Sequence, residues 1–340
     1  MEKSLLIIPL VQTAPPNRPV RNVGLELEGN SDVHMPLLQG LIAAPFTPLK
    51  ADGTLNLDQV GRYAEHLTSS GVAGAFIGGT TGEGASLSTE ERQLLAVQWQ
   101  ATRPKELKLI VHVGHQSIID SCALAAHAQE IGADAIGALA PSFFRPGNVA
   151  ELVACCAEIA SAAPALPFYY YHMPAMTGVN LSMTEFLPRA ADAIPTFAGI
   201  KFTHENLMDY GLTLAAAGTR QSILFGRDES LLCALALGAT GAVGSTYNYM
   251  APIFSRMIVA FKSGKNAEAS ELQHLAMRII AVMVRHGGLS AGKAIMNLIG
   301  IDCGPVRLPL VTLTRAQAEL LRVELDALDF FASSRVAQAS

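Results

Sequence analysis

Ala198-Gly199-Ile200-Lys201-Phe202-Thr203 reads as a short strand buried on both faces, with a single lysine inside it. Runs of this kind recur along the chain. Residues 41–46, 73–78, 108–113, 135–140, 165–171, 198–202, 222–226 and 241–244 are all short and apolar. Strands that are continuously apolar belong to parallel sheets covered on both faces. Segments of helical length separate them. In 57–70, Leu57, Val60, Tyr63, Ala64 and Leu67 share one helical face. Ser88-Thr89-Glu90-Glu91 has capping-box form just before Leu94, Leu95 and Val97, and Ser182-Met183-Thr184-Glu185 repeats that form. Eight strands alternating with helices predict an α/β fold, a (β/α)8 TIM barrel, over residues 37–265, close to the usual size of ~250 residues. A doubly wound sheet is the runner-up. It would place a glycine-rich phosphate loop after the first strand, and none follows Phe46.

The alternation stops near residue 266. Helical patterns over 266–284, 290–298 and 314–328 predict a C-terminal three-helix appendage within 266–340. Residues 1–36 carry Pro15, Pro16 and Pro19, scattered charges and no sustained periodicity. They read as an N-terminal extension of disorder-prone composition.

At 340 residues the chain is 50% hydrophobic and 16% charged, with a mean hydropathy of +0.31. Its two longest uncharged stretches are broken by Pro164, Pro167 and Pro174 and by Gly238, Gly241 and Gly244. Neither offers the ~20 continuous apolar residues of a membrane span. The excess hydrophobicity is that of a sheet buried on both faces. A net charge of −5 with no long basic run argues against nucleic acid or an anionic membrane as the main partner. The five cysteines are odd in number and form no Cys-x-x-Cys, as expected of free thiols in a reducing compartment. The first residues lack the pattern of a secretory signal, so the expected location is cytoplasmic.

The polar residues that stand out all fall at the C-terminal ends of the expected strands, where barrel enzymes carry their chemistry. Thr80 and Thr81 follow the second strand, inside Gly78-Gly79-Thr80-Thr81-Gly82-Glu83-Gly84. Tyr171 closes the fifth, Lys201 and Thr203 the sixth. Gly226, Asp228 and Glu229 follow the seventh, and Gly244 and Ser245 the eighth. A lysine in an apolar strand must pair, reach water or lose its charge. In the last case it becomes a neutral amine able to form a Schiff base with a ketone. Surface-reaching or salt-bridged lysine is the plain alternative. For Tyr171 that alternative is core packing, and strand alternation sends Tyr169 the same way. The glycine-rich turn could bind an anion through Thr80, Thr81 and its N–H groups. It could equally be a connection needing glycine dihedrals, with Glu83 a buried carboxylate and no catalyst. Asp228-Glu229 could bind substrate or simply open a helix. His112 and His115 flank a strand end with no carboxylate cluster, so no metal site is expected.

Gly79-Thr80-Thr81-Gly82-Glu83-Gly84, Tyr171-His172-Met173-Pro174, Gly199-Ile200-Lys201 and Gly241-Ala242-Val243-Gly244-Ser245-Thr246 occur in this order. Together they resemble the class I pyruvate-dependent aldolases of the dihydrodipicolinate synthase and N-acetylneuraminate lyase family, over about residues 38–328. The run from Ala165 to His172, Gly226-Arg227-Asp228-Glu229, Gly244-Ser245-Thr246-Tyr247-Asn248-Tyr249 and Arg307-Leu308-Pro309 look most like the N-acetylneuraminate lyase branch. The resemblance implies Lys201 as Schiff-base lysine and Tyr171 as the phenol relaying a proton in carbon–carbon cleavage. It implies Thr80 and Thr81 on the pyruvyl carboxylate. Thr203, Gly226, Asp228, Glu229, Gly244 and Ser245 would hold the hydroxylated tail of a sugar acid. It also implies a homotetramer with no metal and no organic cofactor.

Two positions separate the branches. Dihydrodipicolinate synthases usually carry an arginine two residues after the motif proline, to hold a second carboxylate. Met176 stands there, and an apolar side chain cannot form that pair. Many members carry a tyrosine in the turn after the fourth strand, reaching a neighbouring subunit's site. Pro141-Ser142-Phe143-Phe144-Arg145-Pro146 has no phenol. The expectation is reversible cleavage of N-acetylneuraminate, a sialic acid, to N-acetylmannosamine and pyruvate. The alternatives are another family aldolase on a different 2-keto-3-deoxy acid and, more distantly, a non-catalytic ligand sensor on the same barrel.

Overall fold

A computed structural model describes residues 37–334. The segment 1–36, read above as an extension, lies outside the described residues. Strands β1 (Gly40–Ala43), β2 (Gly74–Ile77), β3 (Lys108–His112), β4 (Ala135–Leu139), β5 (Phe168–His172), β6 (Phe197–Phe202), β7 (Ser222–Phe225) and β8 (Gly241–Gly244) close a parallel barrel in chain order. β8 pairs with β1 from Gly40 opposite Gly241 to Ala43 opposite Gly244. Closure leaves no open sheet edge. The doubly wound alternative is therefore excluded.

The helices α1 (Val60–Ser69), α2 (Thr89–Thr102), α3 (Ile118–Glu130), α4 (Val149–Ser161), α5 (Pro174–Thr177), α6 (Met183–Ala193), α7 (Leu207–Ala217), α8 (Leu231–Ala236) and α9 (Tyr247–Lys262) lie between or after the strands. Ser88 caps α2 with the full box: its hydroxyl accepts from the Glu91 N–H at 3.2 Å and its N–H donates to Glu91 Oε2 at 2.9 Å. The second expected box is only half made. Ser182 Oγ accepts from the Glu185 N–H at 3.4 Å. Asp209 of α7 takes the Met183 and Thr184 N–H groups at 3.0 and 3.2 Å. The start of α6 is thus capped from a neighbouring helix, which no local motif announces.

Two apolar layers form. Inside the barrel lie Ile42, Phe76, Ile110, Tyr169, Tyr171, Ala198, Leu224 and Val243. The alternate strand residues face the helices, as Tyr170 does with its ring 4.8 Å from that of Phe186. Strand β6 breaks the alternation. Phe168 pairs with Phe197 but Tyr169 pairs with Gly199, so Ala198 is an extra residue, a β-bulge. Phe197, Ile200 and Phe202 then all join the outer layer. Each such side chain is worth roughly 1.5–3 kcal/mol when fully buried, which fixes the facing of the strand beyond the bulge.

After α9 come α10 (Asn266–Arg285), α11 (Leu289–Leu298), α12 (Arg315–Asp326) and the short α13 (Phe330–Ser333). Their buried residues, among them Ile279, Ile295, Leu321 and Phe330, belong to the same core as the barrel helices. Among the described residues no helix is long and apolar enough to cross a membrane.

Candidate active site

A cavity of about 280 Å³ opens at the C-terminal ends of the strands. Every site residue expected from the sequence lines it: Thr80, Thr81, Tyr171, Lys201, Thr203, Gly226, Asp228, Glu229, Gly244 and Ser245.

The bulge in β6 turns Lys201 into the barrel. Its amine sits 3.8 Å from the centre of the Tyr171 ring and 4.1 Å from that of Phe76. At 3% exposure it is not a lysine reaching for water. Loss of hydration lowers its pKa to about 7, against the opposing pull of Asp228. A large fraction of the amine is therefore neutral near pH 7.

Both Tyr169 and Tyr171 point inward, as alternation requires, and height along the barrel separates them. The Tyr169 hydroxyl accepts from the Leu38 N–H at 3.1 Å, at the opposite end. The Tyr171 hydroxyl lies 3.1 Å from Met173 Sδ and 3.4 Å from Thr80 Oγ1, beside the glycine-rich turn. Burial pushes its pKa up to about 12, so the phenol is protonated at neutral pH. Its ring meets those of Phe76 and His112 edge-on, at 5.6 and 6.0 Å.

On the far wall Asp228 opens a short 3-10 turn, Asp228–Ser230, ahead of α8. Its carboxyl also faces the cavity region and is buried, which raises its pKa to about 6. Asp228 Oδ2 accepts from the N–H and Oγ1 of Thr246, at 2.9 and 2.7 Å. Asp228 thus opens a turn, as the plainer reading has it, and also lines the cavity. Two glycines permit the close approach: a Cβ on Gly244 would meet Asp228 Oδ1 at 1.8 Å, and one on Gly226 would meet Thr203 Oγ1 at 1.9 Å. Glu229 is paired with Arg227 at 2.7 Å, and Arg227 also reaches Glu205 at 2.6 Å.

Sequence reasoning missed Arg227 and Thr246, although both stood in the motifs quoted. It also missed a whole wall. Ile280, Met283 and Val284 of α10 and Leu289 of α11 close one side of the cavity. No local pattern distinguishes them from ordinary helix residues. Met176 does not line the cavity and is largely exposed. Phe143 and Phe144 are exposed too, with ring centres 5.0 Å apart. Among the described residues no group of three His, Cys, Asp or Glu side chains is placed to hold a metal ion.

The arrangement offers a partly neutral amine, a protonated phenol beside it, a threonine turn on one side and carboxylates on the other. Comparison with known proteins agrees with this chemistry. The Dihydrodipicolinate synthetase family profile matches residues 37–328. The mouse N-acetylneuraminate lyase is 45% identical over 304 residues, covering 88% of this chain and 95% of its own. The human N-acetylneuraminate lyase is 45% identical over 298 residues, covering 86% and 93%. Among solved structures, N-acetylneuraminate lyase from Aliivibrio salmonicida superposes with a TM-score of 0.85 at 42% identity, over 87% of this chain and 98% of its own. That from Proteus mirabilis gives 0.84 at 40% identity, over 87% and 100%. With its barrel, its cavity and these relatives in agreement, the chain belongs to the dihydrodipicolinate synthetase family.

Proposed function

We propose that this protein reversibly cleaves N-acetylneuraminate to N-acetylmannosamine and pyruvate through a Schiff base on Lys201. The observation that carries the reading is the Lys201 amine itself. It is buried in the cavity, lowered to about 7, and set over the ring of a protonated Tyr171. The curated relatives named above are lyases of this substrate.

In this reading the neutral amine attacks the C2 ketone, and loss of water leaves an iminium. Breaking the C3–C4 bond sends its electrons to the iminium nitrogen, giving an enamine. The proton of the C4 hydroxyl must leave as the aldehyde forms. Tyr171 cannot be a standing base, since its phenol is protonated. It relays instead, accepting the C4 proton while passing its own to the substrate carboxylate. Thr80 and Thr81 hold that carboxylate. Departure of the amino sugar, protonation of the enamine at C3 and hydrolysis return pyruvate and the free amine. Thr203, Gly226, Asp228, Glu229, Gly244 and Ser245 face the hydroxylated tail. The residues named here supply the electron sink and the proton path without a metal or organic cofactor.

We also propose a homotetramer in the cytoplasm. Ile119, Phe143, Phe144, Met176 and Met208 are exposed apolar side chains on the segments after β3 to β6, and such groups on one rim suit contact with a second copy. All five cysteines are free, which suits a reducing compartment.

Pyruvate with borohydride should add one reduced pyruvyl group to the peptide containing Lys201, and Lys201→Arg should stay unlabelled because a guanidinium keeps its charge. Labelling at another lysine would sink the assignment. A turnover screen with N-acetylneuraminate, other 2-keto-3-deoxy acids, and aspartate semialdehyde plus pyruvate tests the substrate. Light scattering tests the tetramer.

A further inference from the structure

The turn that carries Thr80 and Thr81 is held in place from outside the barrel. Its residue Glu83 has φ +53°, a left-handed conformation that a side chain with a Cβ seldom adopts without support. The Glu83 side chain turns away from the cavity. One oxygen pairs with Lys293 Nζ of α11 at 2.7 Å, and both side chains are almost completely buried. The other oxygen accepts the Arg307 N–H at 2.8 Å. Lys293 is itself steered by the Pro305 carbonyl at 2.6 Å. Arg307 continues the clamp, donating to the Ser86 and Gly53 carbonyls at 2.9 and 2.8 Å and pairing with Glu91 of α2. On the barrel side Thr47 Oγ1 donates to the Gly82 carbonyl at 2.6 Å. Gly84 closes the turn so tightly that a Cβ there would lie 1.9 Å from the Gly78 carbonyl oxygen.

Neither Glu83 nor Lys293 lines the cavity. A buried carboxylate and a buried ammonium are costly to bring out of water, and breaking one partner leaves the other uncompensated. The pair therefore has one geometry, and that geometry dictates the dihedrals of the turn between Gly79 and Gly84. A turn that presents donors to a carboxylate must hold them fixed before the ligand arrives, because ordering it on binding would consume affinity.

We infer that Glu83 and Lys293 are positioning residues through which the C-terminal helices lock the Thr80–Thr81 turn in its carboxylate-binding form. The inference rests on the reading of that turn as the pyruvyl carboxylate site. It makes the appendage part of the active site's framework and assigns its buried lysine a task distinct from that of Lys201.

The test compares pyruvate with methyl pyruvate, whose ketone is retained and whose carboxylate charge is gone. Borohydride trapping at Lys201 is measured against concentration of each. Wild-type protein should half-saturate at a lower concentration of pyruvate than of the ester. In Lys293→Met the half-saturating concentration of pyruvate should rise roughly tenfold or more, the loss expected when charge-assisted hydrogen bonds to a carboxylate go. That of methyl pyruvate should stay within about twofold, since the ester draws little on such bonds. The double variant Glu83→Gln with Lys293→Met leaves no uncompensated buried charge and should fold while showing the same split. An equal loss for both ketones overturns the positioning role in favour of general structural damage. An unchanged preference for pyruvate in both variants also overturns it. A wild-type protein that shows no preference at all overturns the carboxylate reading of the turn, and the inference with it.

Discussion

Gly199 decides which way Lys201 points. It lies two residues before the lysine, at φ +152°, in the bulge where β6 gains one residue on β5. A Cβ at Gly199 would sit 1.9 Å from the Ser222 carbonyl oxygen of β7. Strict alternation from Phe197 would send Ile200 inward and Lys201 outward against the helices. The extra residue reverses both, and the amine enters the cavity.

Gly199→Ala should therefore cripple imine formation without touching a group that contacts substrate. Trapping of pyruvate by borohydride should fall by about 10²-fold or more, the usual result of displacing a reacting group by an ångström. Circular dichroism should still show the barrel. Trapping at the wild-type rate would mean that the strand tolerates a side chain there and that the bulge is not what aims Lys201.

Imine formation should depend on pH through Lys201. Only the unprotonated amine attacks, so the rate should rise with pH and level off above about 7, the value burial imposes. Below it the rate should drop about tenfold per pH unit. Asp228 favours the charged amine. Asp228→Asn should accordingly move the limb to lower pH. A limb near the ordinary lysine value, or a shift to higher pH in Asp228→Asn, contradicts this electrostatic account.

Tyr171→Phe should still form the imine and lose most cleavage. Removing a positioned proton-transfer group costs ~10²–10⁴-fold. The ring keeps its edge contacts with Phe76 and His112, so the packing survives. Single-turnover cleavage reduced less than tenfold, with the fold intact, would place the proton path elsewhere.

Asp228 and Glu229 should separate in their effects. Asp228 anchors Thr246 through two hydrogen bonds, so Asp228→Ala should disturb the end of β8 as well as the tail site. Among the described residues Glu229 pairs with Arg227 alone, at the rim. Glu229→Gln should raise KM for N-acetylneuraminate and leave pyruvate trapping near wild type, because a polyol site discriminates by hydrogen bonds to hydroxyls. Equal damage to sugar acid and pyruvate would show that the loop is a structural support and not a tail site.

Much of this protein was legible in its residues alone. Strand number and order followed from apolar runs separated by helical periodicity, and both are local properties of the chain. The Ser88 cap did too, since both partners lie within three residues. Candidate residues could be placed on one rim because barrel enzymes gather chemistry at one set of strand ends, so position along each strand served as a proxy for position in space, and the family resemblance supplied their expected roles. The sequence by itself thus determined which elements form and which side chains stand on the rim. Only the tertiary structure decided the rest. Whether Tyr169 or Tyr171 reaches the cavity depends on height in a closed barrel, and alternation treats the two alike. The inward turn of Lys201 depends on a one-residue slip between β5 and β6, which appears only when two strands are paired. The bond from Asp209 to the start of α6, the wall from Ile280 to Leu289 and the pairing of Glu83 with Lys293, 210 positions apart in the chain, all join distant segments. Hydration lost on burial, which sets the charge of Lys201 and Asp228, is likewise a property of the assembled core and of no segment within it.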